Sequence, residues 1–167
     1  MRLIPLFLCL LFSACAGYQL GGVKPGIMRD VQTIAVPMFT NESLEPRAET
    51  LATSAAIDAF IQDGTYRIAS TDSADAILEA SLHEIDYFQI RSSRLDTLRP
   101  EELQNTVTLV WTVRDARGSN RILAQGSSTG TSTFFVDSNL QTSRHNALPD
   151  ALERASQAMV SRLANGF

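Results

Sequence analysis

The sequence predicts an α+β fold, an α/β sandwich. A mixed, mostly antiparallel sheet of about four to five strands carries two helices on one face, in the order β-α-β-β-β-β-α. Three observations predict it. Residues 31–37 are β-forming and nearly all apolar at their centre, and an Ala-rich helical stretch and a second short β run follow. Such a strand–helix–strand unit suits parallel pairing with a right-handed crossover. Residues 106–114 alternate, with Val107, Leu109, Trp111 and Val113 on one face and Thr106, Thr108 and Thr112 on the other. Leu148, Leu152, Ala155, Met159 and Leu163 recur at spacings of three and four, one apolar helix face. Two helices can cover one face of such a sheet. The composition, 44% hydrophobic and 19% charged over 167 residues, suits one domain over residues 31–167.

The elements follow in order. Residues 1–14 read as a signal peptide: Arg2 is a minimal positive start, residues 3–12 are apolar but for Pro5, and Ser13 and Ala14 are small. The run is about half the roughly 20 residues that span a bilayer as a helix. The alternative is a buried first element of the fold. Cys9 would leave with the signal peptide, so Cys15 would be the only cysteine left. A lone thiol forms no intramolecular disulfide and supplies too few ligands for zinc. Residues 15–30 read as an anchor and flexible tether, rich in glycine.

Pro37 ends the first strand, because it cannot donate to the ladder. Residues 40–45 are turn-like. Pro46 suits the first turn of a helix over about 46–62, and Gly64 lies just past its end. Its inward face is small: Ala48, Leu51, Ala52, Ala55 and Ala59. A short strand spans 65–70 and a long one 76–90, whose apolar phase shifts beyond Glu84 and predicts a bulge. Residues 91–102 read as irregular, broken by Pro100. Residues 115–120 form a hairpin turn in which Gly118 can take positive φ. The Gly-, Ser- and Thr-rich run 121–136 returns as an edge or twisted strand. The last helix is expected to start near Asn146, with Pro149 in its first turn, and to stop at Asn165 and Gly166.

The formal net charge is −4, and −5 without Arg2, which argues against bulk binding to nucleic acid. His83 and His145 fall in no metal or triad motif, and residues 126–130 lack the lysine of a phosphate loop. No catalytic constellation stands out, so the expectation is a non-enzymatic protein with no cofactor and no metal. The arginines are more suggestive. Arg91, Arg94 and Arg99 crowd the irregular loop, and Arg114, Arg117 and Arg121 surround the hairpin turn. If those ends of the sheet are adjacent, an acidic domain carries one basic edge, whose guanidinium forks match phosphate or carboxylate. The plainer reading is a solvated loop, since Asp96, Glu101, Glu102 and Asp115 lie nearby.

Two resemblances sharpen this reading. Phe12-Ser13-Ala14-Cys15 resembles a bacterial lipobox, with Phe where Leu is usual. The resemblance implies cleavage before Cys15 and its acylation, and at roughly 0.8 kcal/mol per buried methylene several chains anchor a protein lastingly. Ala16, where Asp would mark retention in the inner membrane, implies the outer membrane and its periplasmic face. Cys15-Ala-Gly-Tyr-Gln-Leu20, the run Thr33-Ile-Ala-Val-Pro-Met-Phe-Thr-Asn-Glu-Ser43, Pro46, Glu49, and Phe60 before Gly64-Thr-Tyr-Arg-Ile68 are similar to the LptE family of lipopolysaccharide-assembly lipoproteins. Ala16 stands as an insertion before the Gly-Tyr pair. The resemblance implies a plug inside an LptD-like β-barrel that helps the barrel assemble and binds lipopolysaccharide. Ligand contact is assigned to Arg91, Arg94, Arg99, Arg117 and Arg121 on clustering alone. The opening strand also resembles the TolB N-terminal domain and the curli-secretion lipoprotein CsgG, which would imply an oligomeric secretion or envelope scaffold. The polar flanks of the Gly118 hairpin count against membrane-inserting hairpins of that kind.

Overall fold

The structure, a computed structural model, describes residues 24–92, 100–136 and 138–166. Cys15, Arg94, Arg99 and the signal peptide lie outside the described residues. After a 3-10 turn at Gly26–Met28 come β1 (Thr33–Ala35), β2 (Thr40–Asn41), α1 (Ala48–Asp63), β3 (Arg67–Ile68) and β4 (Ala76–Ser92). Then follow β5 (Pro100–Asp115), β6 (Ile122–Phe135) and α2 (Leu140–Asn165). The strand order is β3-β1-β4-β5-β6, and β2 adds to β4, giving six strands in one sheet. β1 runs parallel to β3 and β4, whereas β4, β5 and β6 form an antiparallel meander. The α+β class and the element types stand as the sequence predicts, with one strand more than expected.

That additional strand is β2. Its two residues, Thr40 and Asn41, pair parallel to Ser81 and Leu82, where turn chemistry alone suggested no strand. The bulge expected near Glu84 is present, between Leu82 and Glu84. β5 begins at Pro100 rather than Thr106: its first residue pairs with Ser92 at the hairpin end, where a missing N–H does little harm. α2 begins two turns before Asn146. Asn139 caps it, its Oδ1 accepting from the backbone N–H of Gln141 and Thr142, and Pro149 falls inside the helix.

The core lies between the sheet and the two helices. α1 buries Ala48, Ala52, Ala56, Ala59 and Phe60, a mostly methyl-sized face that lets it lie close to its neighbours. α2 buries the whole predicted stripe, Leu148 to Leu163. Trp111 stands beneath β6, its indole N–H donating to Ser128 Oγ at 3.1 Å. A Cβ at Gly130 would stand 2.1 Å from the Ala151 carbonyl oxygen and 2.3 Å from the Ala155 nitrogen. The α2 backbone therefore rests directly against β6 at this glycine. Tyr66 Oη donates to the Leu163 carbonyl at 2.7 Å across 97 residues of sequence, and burial pushes its phenol up to about 12.

Candidate functional site

With both helices on one face, the other face of the meander is uncovered among the described residues. Strand parity assigns its residues. β5 contributes Gln104, Thr106, Thr108, Val110 and Thr112; on β6, Thr133, Thr131, Thr129, Ser127 and Gln125 pair with them in that order. The β6 residues are exposed. β4 adds Glu84 opposite Thr108 and Asp86 opposite Thr106. The result is a hydroxyl-rich plane, with Val110 exposed within it and an acidic margin.

At the end where β4 turns into β5 the plane becomes apolar. Phe88 is 56% exposed, Ile90 50% and Phe135 69%. Phe135 pairs with Glu102, and Glu102 pairs with Arg91, whose guanidinium lies 3.7 Å from the Glu102 carboxylate and is mostly exposed. Composition and clustering did not flag these three apolar residues. The available signal was their parity: Phe88 and Phe135 stand where the alternation calls for polar side chains.

The opposite end is built differently. Asp75 Oδ2 accepts from the backbone N–H of Gln32 (2.8 Å) and Thr33 (2.9 Å), and Oδ1 accepts from Arg117 at 2.7 Å. Arg117 also donates to the Asp30 carbonyl at 2.6 Å. Burial works to raise the Asp75 pKa, but the donors at Gln32, Arg117 and Thr33 prevail and hold the carboxyl far below the usual carboxylate range. Asp115 is likewise lowered, first by the Ser119 hydroxyl and then by the Arg117 N–H. Arg114 pairs with Glu79 at 2.9 Å. Here Arg117 fastens the β5–β6 turn to the segment that leads into β1, and Arg114 ties β5 to β4.

The adjacency on which a single basic edge depended is not found for the described arginines. Arg91 lies at one end of β5, and Arg117 and Arg121 lie beyond the other. Across the 16 residues of that strand the separation is roughly 50 Å. Consecutive turns of a meander sit at opposite ends of the sheet, so Arg91 and the Arg117 and Arg121 pair face different surroundings. Arg117 is moreover occupied by Asp75.

Beside the plane, a cleft of about 740 Å³ lies between the β2–α1 connection, β4 and α2. Arg144 lines it with its guanidinium 4.4 Å above the Tyr87 ring, and His83 Nδ1 stands 2.7 Å from Glu42. The Glu42 hydrogen bond raises the His83 pKa, and both groups are exposed. Among the described residues no group of three or more His, Cys, Asp or Glu is placed to hold a metal ion. No helix among them is long and apolar enough to cross a membrane.

The lipopolysaccharide-assembly model of the LptE family matches residues 31–163. No curated protein matches the chain. Among solved structures, hypothetical protein CT253 from Chlamydia trachomatis superposes with a TM-score of 0.56 at 7% identity, covering 79% of this chain and 95% of its own. Protein XCC0632 from Xanthomonas campestris gives 0.52 at 16%, covering 86% of each chain. Uncharacterized lipoprotein B from Nitrosomonas europaea gives 0.51 at 15%, covering 90% and 94%. At such identities these three share the fold.

Proposed function

The chain belongs to the LptE lipopolysaccharide-assembly family, and on that premise we propose that it is the plug of an LptD-like outer-membrane β-barrel. In this reading it helps the barrel assemble and contacts lipopolysaccharide inside it, with no catalytic step of its own. The uncovered hydroxyl plane carries the proposal. A sheet face that needed a helix to cover it would be apolar, whereas the middle of this one is mostly polar, with Thr106, Thr108, Thr129 and Thr131 at its centre and Val110 its exposed apolar residue there. Such a face suits the polar interior of an outer-membrane barrel.

Lipopolysaccharide contact is proposed at the Phe88 and Arg91 end, with Arg94 and Arg99, which lie between β4 and β5 in the sequence, added from the sequence reading. Exposed apolar groups beside guanidinium donors match a ligand that carries acyl chains next to phosphate. Arg117 and Arg121 are left out of this site. Acylation of Cys15 would tether the domain to the periplasmic face of the outer membrane.

The test is a pull-down from detergent-solubilised outer membranes through a C-terminal tag on the full-length protein. A stoichiometric barrel partner is the expected result. A homo-oligomer without a barrel would overturn the plug reading and favour the scaffold alternative.

A further inference from the structure

Beyond Ser127, whose carbonyl Arg162 holds, the free edge of β6 is unguarded among the described residues. Edge strands normally carry lysine, proline or a bulge that stops other strands from adding to them. From Leu123 to Phe135, β6 has no charged residue and no proline, and its register with β5 is unbroken beyond Ala124.

Its backbone polarity can be read from the ladder. The Asp115 N–H donates to the Arg121 carbonyl at 2.9 Å, so odd-numbered residues at that end of β5 bond toward β6. Val110 therefore bonds toward β4, and its partner Ser127 turns N–H and C=O away from β5. Arg162 confirms the direction by reaching round the edge to the Ser127 carbonyl at 2.5 Å. Thr129, Thr131 and Thr133 have the same parity, so each presents an outward donor and acceptor. Beside this stretch runs a groove of about 650 Å³ between the end of β6 and one face of α2, floored by Phe134 and Ala147 and edged by Asn146 and Asp150. A strand edge with a helix-walled groove alongside is the geometry that accepts an extended peptide, the backbone giving affinity and the groove taking alternate side chains.

We infer that the β6 edge from Thr129 to Thr133 is completed by one added strand from the barrel partner. The inference rests on the plug reading. The occupant is argued from α2. Because its backbone touches Gly130, α2 lies directly under β6. A second copy pairing through its own β6 would bring a second α2 under a strand about 4.8 Å away. Packed helices need about 8–10 Å. An added strand with no helix beneath it fits, whereas a second copy of this chain does not.

The test compares amide hydrogen exchange of the full-length protein, free and in its tagged barrel complex. The amides of Thr129, Thr131 and Thr133 should exchange quickly in the free protein and slow at least tenfold in the complex. Thr131→Pro removes an outward N–H without touching the β5 ladder. It should reduce barrel recovery about tenfold, and Thr131→Val should retain it. A barrel complex with unchanged exchange at the three threonines overturns the inference and leaves the plug reading intact. Absence of any barrel complex overturns both. Slow exchange already in the free monomer, or slowing that follows self-association, overturns the inference, because the chain or a second copy would then cover the edge.

Discussion

Replacing Gly130 with alanine tests the seating of α2 on the sheet. The new methyl would stand 2.1 Å from a carbonyl oxygen and 2.3 Å from a backbone nitrogen, and neither can swing aside as a side chain can. Relief requires α2 to retreat by about 1 Å, and a gap of that size forfeits a quarter to a half of the dispersion energy of each affected contact. Overpacking of this kind costs typically 1–3 kcal/mol, and a clash with helix backbone belongs at the upper end. Alanine regains about 0.5–1 kcal/mol through lower backbone entropy in the unfolded chain. The net expectation is a loss of about 2 kcal/mol, or a fall in Tm of about 8 °C for a domain of this size. Thermal unfolding followed by far-UV circular dichroism measures it. Without the close contact the substitution would stabilise the protein, so an unchanged or raised Tm would refute the seating of α2 and the exclusion of a second copy at the β6 edge.

Three further outcomes follow from the same geometry. Asp75→Ala strands two backbone donors at the base of β1 and should lower stability by about 2–3 kcal/mol in denaturant titrations. Since the folded Asp75 pKa is depressed, its contribution is present above the unfolded value near pH ~4 and fades as pH falls below it, so the variant should show a weaker acid dependence than wild type. Triple alanine replacement of Arg91, Arg94 and Arg99 should weaken lipopolysaccharide binding in a detergent-phase binding assay. Arg117→Ala should lower Tm and leave that affinity unchanged, and equal losses of affinity would refute the division of labour between the two ends. Asn139→Ala removes the α2 cap and should cost about 1 kcal/mol, read as a lower denaturant midpoint.

Much of this architecture was legible because burial imposes periodicity. The alternation over β5 and the stripe on α2 survive intact in the structure, since each has one face against the core and one away from it. The α2 start was illegible for the same reason: residues 140–146 bury nothing apolar, so only the Asn139 cap marks them. Pro149 pointed to a first turn, but a helix held along its length by packing tolerates one missing donor. β2 escaped notice because two residues carry no period, and its pairing with Ser81 and Leu82 is a tertiary fact. The arginine groups were visible as clusters, and their separation was in principle visible too, because successive hairpin turns must point in opposite directions. The acceptor sites of the open edge lie in backbone atoms, which side-chain identity does not record.

The hydrogen bond from Tyr66 to the Leu163 carbonyl has a consequence for how the chain must fold. It joins the residue just before the third strand to the last turn of the last helix, so the core cannot close until nearly the whole polypeptide is present. Contacts of such long sequence separation place loop-closure entropy before any stabilising return, and they slow folding. The loss of even the final turn of α2 would therefore leave the Tyr66 hydroxyl buried without its acceptor and the core open at its last-closing point.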